Sequence, residues 1–162
     1  DQVDAFFNPS NTSTYIGNIS RVTKKVAGHS YFTTWPLTNF VETRSKLNQK
    51  LGEYSTLGFE MTEYCPLENN ADIVGNGRDL GMDLALYGAR VMHVDLTVAD
   101  AMSWSWWLAI SPYDYKDGLV YIDKSTTDGR VFDSKMLWAL GNYSRFVRPG
   151  YQRVTVSRSD LR

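Results

Sequence analysis

The chain has 162 residues, enough for one domain with a core of its own. A hydrophobic content of 43% and a charged content of 22% are ordinary for a globular protein, and a net charge of −1 excludes the basic surface that nucleic acid or an anionic membrane calls for. The aromatic share is high at 14%, with five Trp and ten Tyr. Aromatic residues fill cores, and they also give sugar rings a flat surface for their C–H faces.

Cys65 is the single cysteine, so no disulfide forms within the chain. No apolar run approaches the roughly 18 to 20 residues that cross a bilayer. The chain opens Asp1-Gln2-Val3, with neither an initiating Met nor a signal-peptide pattern. That beginning implies a removed leader or a piece of a longer polypeptide.

Asn8-Pro9-Ser10-Asn11-Thr12-Ser13 is rich in turn formers and leads into a predicted short helix near residues 15–22. Lys25-Val26-Ala27-Gly28-His29-Ser30-Tyr31 has the character of a strand, buried at first and polar at its exit. After Pro36 and Asn39, helical spacing of Leu47 and Leu51 predicts a helix over 41–51, with Gly52 as its stop. A second strand is expected over 55–64, then a loop to Gly77. Asp79 is a predicted N-cap for the most amphipathic helix of the chain, carrying Leu80, Leu84, Tyr87, Val91 and Val94. A third strand is expected over 100–107 and a short one over 119–123, between the turn signals Lys116-Asp117-Gly118 and Asp128-Gly129. Asp133 would cap a last helix carrying Met136, Leu137, Leu140, Tyr143 and Phe146, and Val154-Thr155-Val156 would begin another strand. The alternation of strands and helices predicts an α/β fold with parallel pairing. Three such strands make either a small open sheet or the last part of a (β/α)8 barrel, whose active site lies at the carboxyl ends of the strands.

Chemistry gathers at those ends. Strand alternation puts Phe59, Met61 and Glu63 on one face, expected to point inward, and Glu60 and Thr62 on the other, towards the helices. A carboxylate ending an apolar row needs a partner or a function. Spacing alone leaves open whether Glu63 is a functional carboxylate or a strand-end Glu paired with Arg or Lys. His29 and Tyr31 share a face in the same way. Trp104 and Trp106 share another and would make a wall for a pyranose beside the carboxylate. Trp107, Trp138 and Cys65 are expected in the core, and His93 in packing or solvent. No Gly-rich phosphate loop follows a strand, no Gly-x-Ser-x-Gly elbow occurs, and two histidines with one cysteine give no metal-ligand spacing. No cofactor and no metal are expected.

At these residues the chain resembles glycoside hydrolase family 30, the group of glucocerebrosidase, bacterial glucuronoxylanases and β-1,6-galactanases. His29-Ser30-Tyr31 is similar to that family's sixth-strand motif, Met61-Thr62-Glu63-Tyr64 to the seventh, and Ser103-Trp104-Ser105-Trp106-Trp107 to the eighth. The run from Leu140 to Gly150 is similar to the last barrel helix and its exit. The resemblance implies a partial (β/α)8 barrel over 1–149, about strands 6 to 8, running into a truncated β-sandwich over 150–162. It implies a retaining hydrolase of a β-linked polysaccharide or oligosaccharide, with endo-β-1,6-galactanase the best guess from the motifs. Glu63 would be the nucleophile, and His29, Tyr31, Tyr64, Trp104 and Trp106 would bind substrate. The family's acid/base Glu lies on the fourth strand, which would precede Asp1; Glu42, Glu53 and Glu68 lack its context. The remainder of the same catalytic domain is therefore an expected partner, and an extracellular or periplasmic site follows from the family's habits. Two other readings stand beside it: a non-catalytic carbohydrate-binding protein that keeps the aromatic wall, and a small α/β domain with a salt-bridged Glu63.

Overall fold

The computed structural model describes residues 1–156. It begins with a short helix, α1 (Gln2–Phe7), whose first turn is capped by the Asp1 carboxylate on the Val3 N–H at 2.9 Å. The helix expected over 15–22 is absent, and that stretch turns back on itself with the Ile16 N–H on the Phe6 carbonyl. Gly17 breaks any helical run there, and it lies against the Tyr15 ring where a Cβ would not fit.

Next come β1 (Lys25–His29), α2 (Leu37–Gly52), β2 (Gly58–Tyr64), α3 (Met82–Thr97) and β3 (Ala101–Trp106). The three strands form a parallel sheet in the order β1-β2-β3. Phe40, Arg44 and Leu51 recur at helical spacing on the buried side of α2. Leu84, Tyr87 and Val91 do the same on α3, and all pack with Phe59, Met61 and Ala101 of the sheet except Arg44, whose head is bound to Asp95. Asp79 does not cap α3: its carboxylate accepts from the Gly81 N–H just before the helix begins.

This core reverses one expectation. Phe59 and Met61 face the helices, not the inside of the sheet's other face, and Glu60 stands on that other face beside Lys25. Gly28 lies on the helix side too, where a Cβ would come within 3.0 Å of the Phe59 ring.

A second small sheet follows, with β4 (Ile110–Ser111), β5 (Val120–Ile122) and β6 (Val131–Asp133), parallel between β4 and β5 and antiparallel between β5 and β6. Only β5 was expected; the others are too short for a two-residue period to show. The last helix is α4 (Lys135–Phe146), capped by Ser134, whose Oγ accepts from the Leu137 N–H at 3.2 Å. Asp133 instead accepts from the Trp138 indole at 2.8 Å, and Trp138 is 60% exposed rather than core. Met136 drives into α3 against Gly88, where an added Cβ would lie 2.5 Å from its sulfur. Residues 151–156 are exposed and form no strand, so the strand expected at Val154 is not seen, and the remainder of the 150–162 segment lies outside the described residues. Among the described residues no helix is long and apolar enough to cross a membrane.

Candidate functional site

A parallel sheet delivers all its carboxyl ends to one edge, so His29, Glu63 and Trp106 arrive together. The pairing slips on the way. Gly28 pairs with Met61, but His29 pairs with Glu63, which leaves Thr62 as an extra residue in β2. Across the other side, Met61 pairs with Trp104 and Tyr64 with Trp106, the same excess of one. The bulge takes Glu63 off the Phe59–Met61 row and sets it beside His29 on the open face.

There the Tyr31 hydroxyl donates to Glu63 Oε1 at 2.9 Å. His29 Nδ1 lies 3.9 Å from the same oxygen, and its ring meets Tyr31 edge-on with centroids 5.8 Å apart. Among the described residues no Arg or Lys pairs with Glu63, and the one basic side chain beside it is His29. Burial first, and then the hydrogen bond to Glu63, raise the Tyr31 phenol well above its ordinary value. The shift favours the protonated phenol that donates to Glu63.

The β1 tip is tied down from behind. Ser30, between His29 and Tyr31, donates to Asp95 of α3 at 2.9 Å. The same carboxylate, 1% exposed, accepts from Arg44 Nε at 2.8 Å and from the Trp104 indole at 2.9 Å. Arg44 reaches on to the Thr33 carbonyl at 2.7 Å. Asp95 thus joins β1, α2, α3 and β3. Glu68 does a similar service in the following loop, accepting from Thr34 Oγ1 at 2.6 Å, the Phe32 N–H at 3.2 Å and the Tyr64 hydroxyl at 3.3 Å. Those bonds hold Phe32 in the left-handed region at φ 58°.

Trp104, Trp106 and Tyr64 stand differently from expectation. The Trp104 indole ends on Asp95, and Trp106 packs towards α3 with its N–H on the Asp117 carbonyl at 2.7 Å. Tyr64 is fully buried, with its ring 5.7 Å from Tyr31 and 6.3 Å from both indoles. These three rings are a packed backing to Tyr31. Trp107, expected in the core, is 46% exposed. Its N–H donates to the Tyr64 carbonyl, which continues the β2–β3 ladder, and alternation from Trp106 places it on the side of Glu63. Cys65 is buried, 3.8 Å from the Tyr31 hydroxyl, and burial pushes its thiol up to about 12. His93 is exposed.

The neighbouring glutamates are engaged: Glu60 by Lys25, and Glu68 by its three donors. Among the described residues no group of three His, Cys, Asp or Glu side chains gathers to hold a metal. Sequence reasoning missed Asp95, Arg44 and Trp107. A signal existed for the first: Asp95 follows Val91 at helical spacing, a charge on the apolar side of α3.

The model of O-glycosyl hydrolase family 30 matches residues 1–121. The chain belongs to that family. Its fold is similar to the crystal structure of a conserved exported protein from Bacteroides fragilis, with a TM-score of 0.77 and 28% identity over 97% of this chain and 35% of that one. It is also similar in fold to the catalytic domain of the family 30 xylanase C from Talaromyces cellulolyticus, with a TM-score of 0.50 and 20% identity over 86% of this chain. The chain spans 35% of the first of these and 26% of the second.

Proposed function

We propose that this chain is part of the catalytic domain of a retaining glycoside hydrolase acting on a β-linked polysaccharide or oligosaccharide, with Glu63 as its nucleophile. One observation carries the proposal: in a family 30 chain, Glu63 stands at the end of a central parallel strand, held by a phenol at 2.9 Å and a histidine at 3.9 Å, with no Arg or Lys paired to it among the described residues. In this proposal β1, β2 and β3 are about the sixth to eighth strands of a (β/α)8 barrel, and residues 150–162 lead into a β-sandwich. The remainder of the domain supplies the acid/base Glu, about 5–5.5 Å from the nucleophile as retention requires.

The mechanism follows from the arrangement. Glu63 attacks the anomeric carbon from the face opposite the leaving oxygen, which the acid protonates. The resulting glycosyl ester is opened by water that the same residue, now a base, activates. Tyr31, its phenol raised above the ordinary value, orients the Glu63 oxygen and steadies its charge when the ester breaks. His29, half-exposed on the same face, donates or accepts at a sugar hydroxyl. Trp107 offers the stacking wall, and Trp104, Trp106 and Tyr64 hold Tyr31 in place rather than touching the sugar. Endo-β-1,6-galactan cleavage outside the cell remains the favoured activity; the export of the Bacteroides relative supports the location.

Trapping the full-length protein with a mechanism-based 2-fluoroglycoside, followed by peptide mapping, tests the proposal. Label on Glu63 is the expected result, and Glu63→Gln binds sugar without turnover. Label on another residue, or turnover by the variant, rejects the assignment. Sugar binding with no label and no turnover in the wild type points to a non-catalytic binding protein.

A further inference from the structure

The loop after β1 holds Phe32 in two unfavourable conditions at once. Its backbone is left-handed at φ 58°, where a bulky side chain is an outlier. Its ring is 73% exposed, so a large apolar surface stays in water. Glycine or asparagine would suit that backbone better and would remove the exposed ring.

The residues around Phe32 are fixed. Ser30, 5% exposed, donates to Asp95, and the Thr33 hydroxyl donates to the Ser30 carbonyl at 2.9 Å. Arg44 donates to the Thr33 carbonyl at 2.7 Å and to its hydroxyl at 2.8 Å. Thr34, 1% exposed, donates to Glu68 at 2.6 Å and accepts from the Tyr87 hydroxyl at 2.8 Å. Glu68 also takes the Phe32 N–H at 3.2 Å, so the strained residue is clamped through its own backbone. None of these bonds uses the Phe32 side chain. Strain that the surroundings over-determine collects at ligand clamps, and what this clamp presents is the ring.

The ring stands beside Tyr31, with centroids 6.3 Å apart and planes tilted by 43°, and the Tyr31 hydroxyl donates to Glu63. Phe32 is thus one ring removed from the phenol that holds Glu63, and solvent reaches it. We propose that Phe32 is a substrate-binding residue whose ring stacks on the C–H face of a pyranose in the chain held at Glu63. The inference rests on the glycosidase reading given above and adds a wall to its sugar-binding surface. A single ring gives one sugar unit its contact, whereas a protein partner takes about 800 Å² a side. The fixed backbone leaves little order to be lost when the sugar arrives.

The test uses full-length protein. In a Glu63→Gln background, calorimetric titration measures binding of β-linked galacto-, gluco- and xylo-oligosaccharides from the disaccharide to the hexasaccharide. Phe32→Gly and Phe32→Asn, both at ease with left-handed backbone, are expected to weaken the tightest oligosaccharide roughly 3- to 10-fold, the range of one aromatic contact. Their melting temperature should hold or rise, because strain and an exposed ring are both removed. Phe32→Tyr keeps the ring and should keep the affinity. Unchanged affinity in the first two variants overturns the inference. A loss in Phe32→Gly alone overturns it too, since that is the mark of a loosened loop. A melting temperature lowered by both Phe32→Gly and Phe32→Asn would place the ring against the rest of the domain and overturns it as well. The 2-fluoroglycoside label separates the two claims: a wild type labelled at Glu63 whose Phe32 variants bind every sugar unchanged refutes this inference alone. A wild type that takes no label and binds none of the sugars refutes both.

Discussion

Removing the Asp95 carboxylate is the most severe single change the site region offers. The residue is 1% exposed and takes three donors, from Ser30, Arg44 and Trp104, at 2.8–2.9 Å. Asp95→Ala strands the Arg44 guanidinium, itself only 4% exposed, without its counter-charge. Orphaning one member of a buried ion pair costs about 3–5 kcal/mol. Loss of the Trp104 and Ser30 acceptor adds about 1 kcal/mol or more, discounted because the three bonds form one network. A total near 4–5 kcal/mol is a large share of a typical domain's 5–15 kcal/mol. Asp95→Asn keeps an acceptor for two of the donors and should lose about 3 kcal/mol. Replacing both charges, as Asp95→Leu with Arg44→Met, should cost far less than the sum of the two single changes.

Urea unfolding of the full-length protein, followed by tryptophan emission, measures these losses. Since Ser30 lies between His29 and Tyr31, the Asp95 variants should also lose turnover under conditions where they remain folded. An Asp95→Ala loss below about 1 kcal/mol, or a double variant as unstable as the sum, would refute the reasoning.

Three other outcomes follow from single contacts. Tyr31→Phe removes the hydroxyl that donates to Glu63 Oε1 and should lower kcat/KM on the order of 10- to 100-fold with stability changed by about 1 kcal/mol, as kinetics and melting would register. Trp107→Ala should weaken oligosaccharide binding and leave the melting temperature nearly unchanged, whereas Trp104→Phe, which cuts the bond to Asp95, should do the reverse. The Cys65 thiol, raised from 9.0 to about 12 by burial, is neutral in the folded state where the unfolded thiol would ionise. Its contribution is complete below pH 9 and is lost as pH rises towards about 12, so wild type should lose stability over that window relative to Cys65→Ala. The same thiol should resist iodoacetamide at pH 8 until urea unfolds the protein.

The central strands and α2, α3 and α4 were legible because long periodic segments announce themselves. Their ends were not: α3 starts after an Asp79 turn rather than on Asp79, and α2 begins at Leu37, directly after Pro36, rather than at Val41. Trp107 and Trp138 were expected in the core, the second from its helical pattern, yet the Trp138 indole satisfies itself on Asp133 at the surface and Trp107 is 46% exposed. Of the site, the trio His29, Tyr31 and Glu63 could be found from sequence because each stands at a strand exit. The network behind it could not. Asp95 and Arg44 lie 51 residues apart on different helices, and only the packed fold brings them to Ser30.

The same limit hid the step on which the site depends. Strict alternation would carry Glu63 from the Phe59–Met61 row into the helix-facing core, where Arg44 is already bound to Asp95. An unpartnered carboxylate there would cost several kcal/mol or shed its charge. The bulge at Thr62 resolves the conflict within one strand: Glu63 turns to the open face beside His29, and Tyr64 returns to the core with no exposed surface. β1 and β3 both record an extra β2 residue between Met61 and Tyr64, and β3 carries an extra residue of its own between Ala101 and Trp104. Bulges are over-represented beside active sites, where they re-aim a side chain, and this one turns a carboxylate to the open face between the buried side chains of Met61 and Tyr64. The break is consistent with the proposal of a working carboxylate at Glu63.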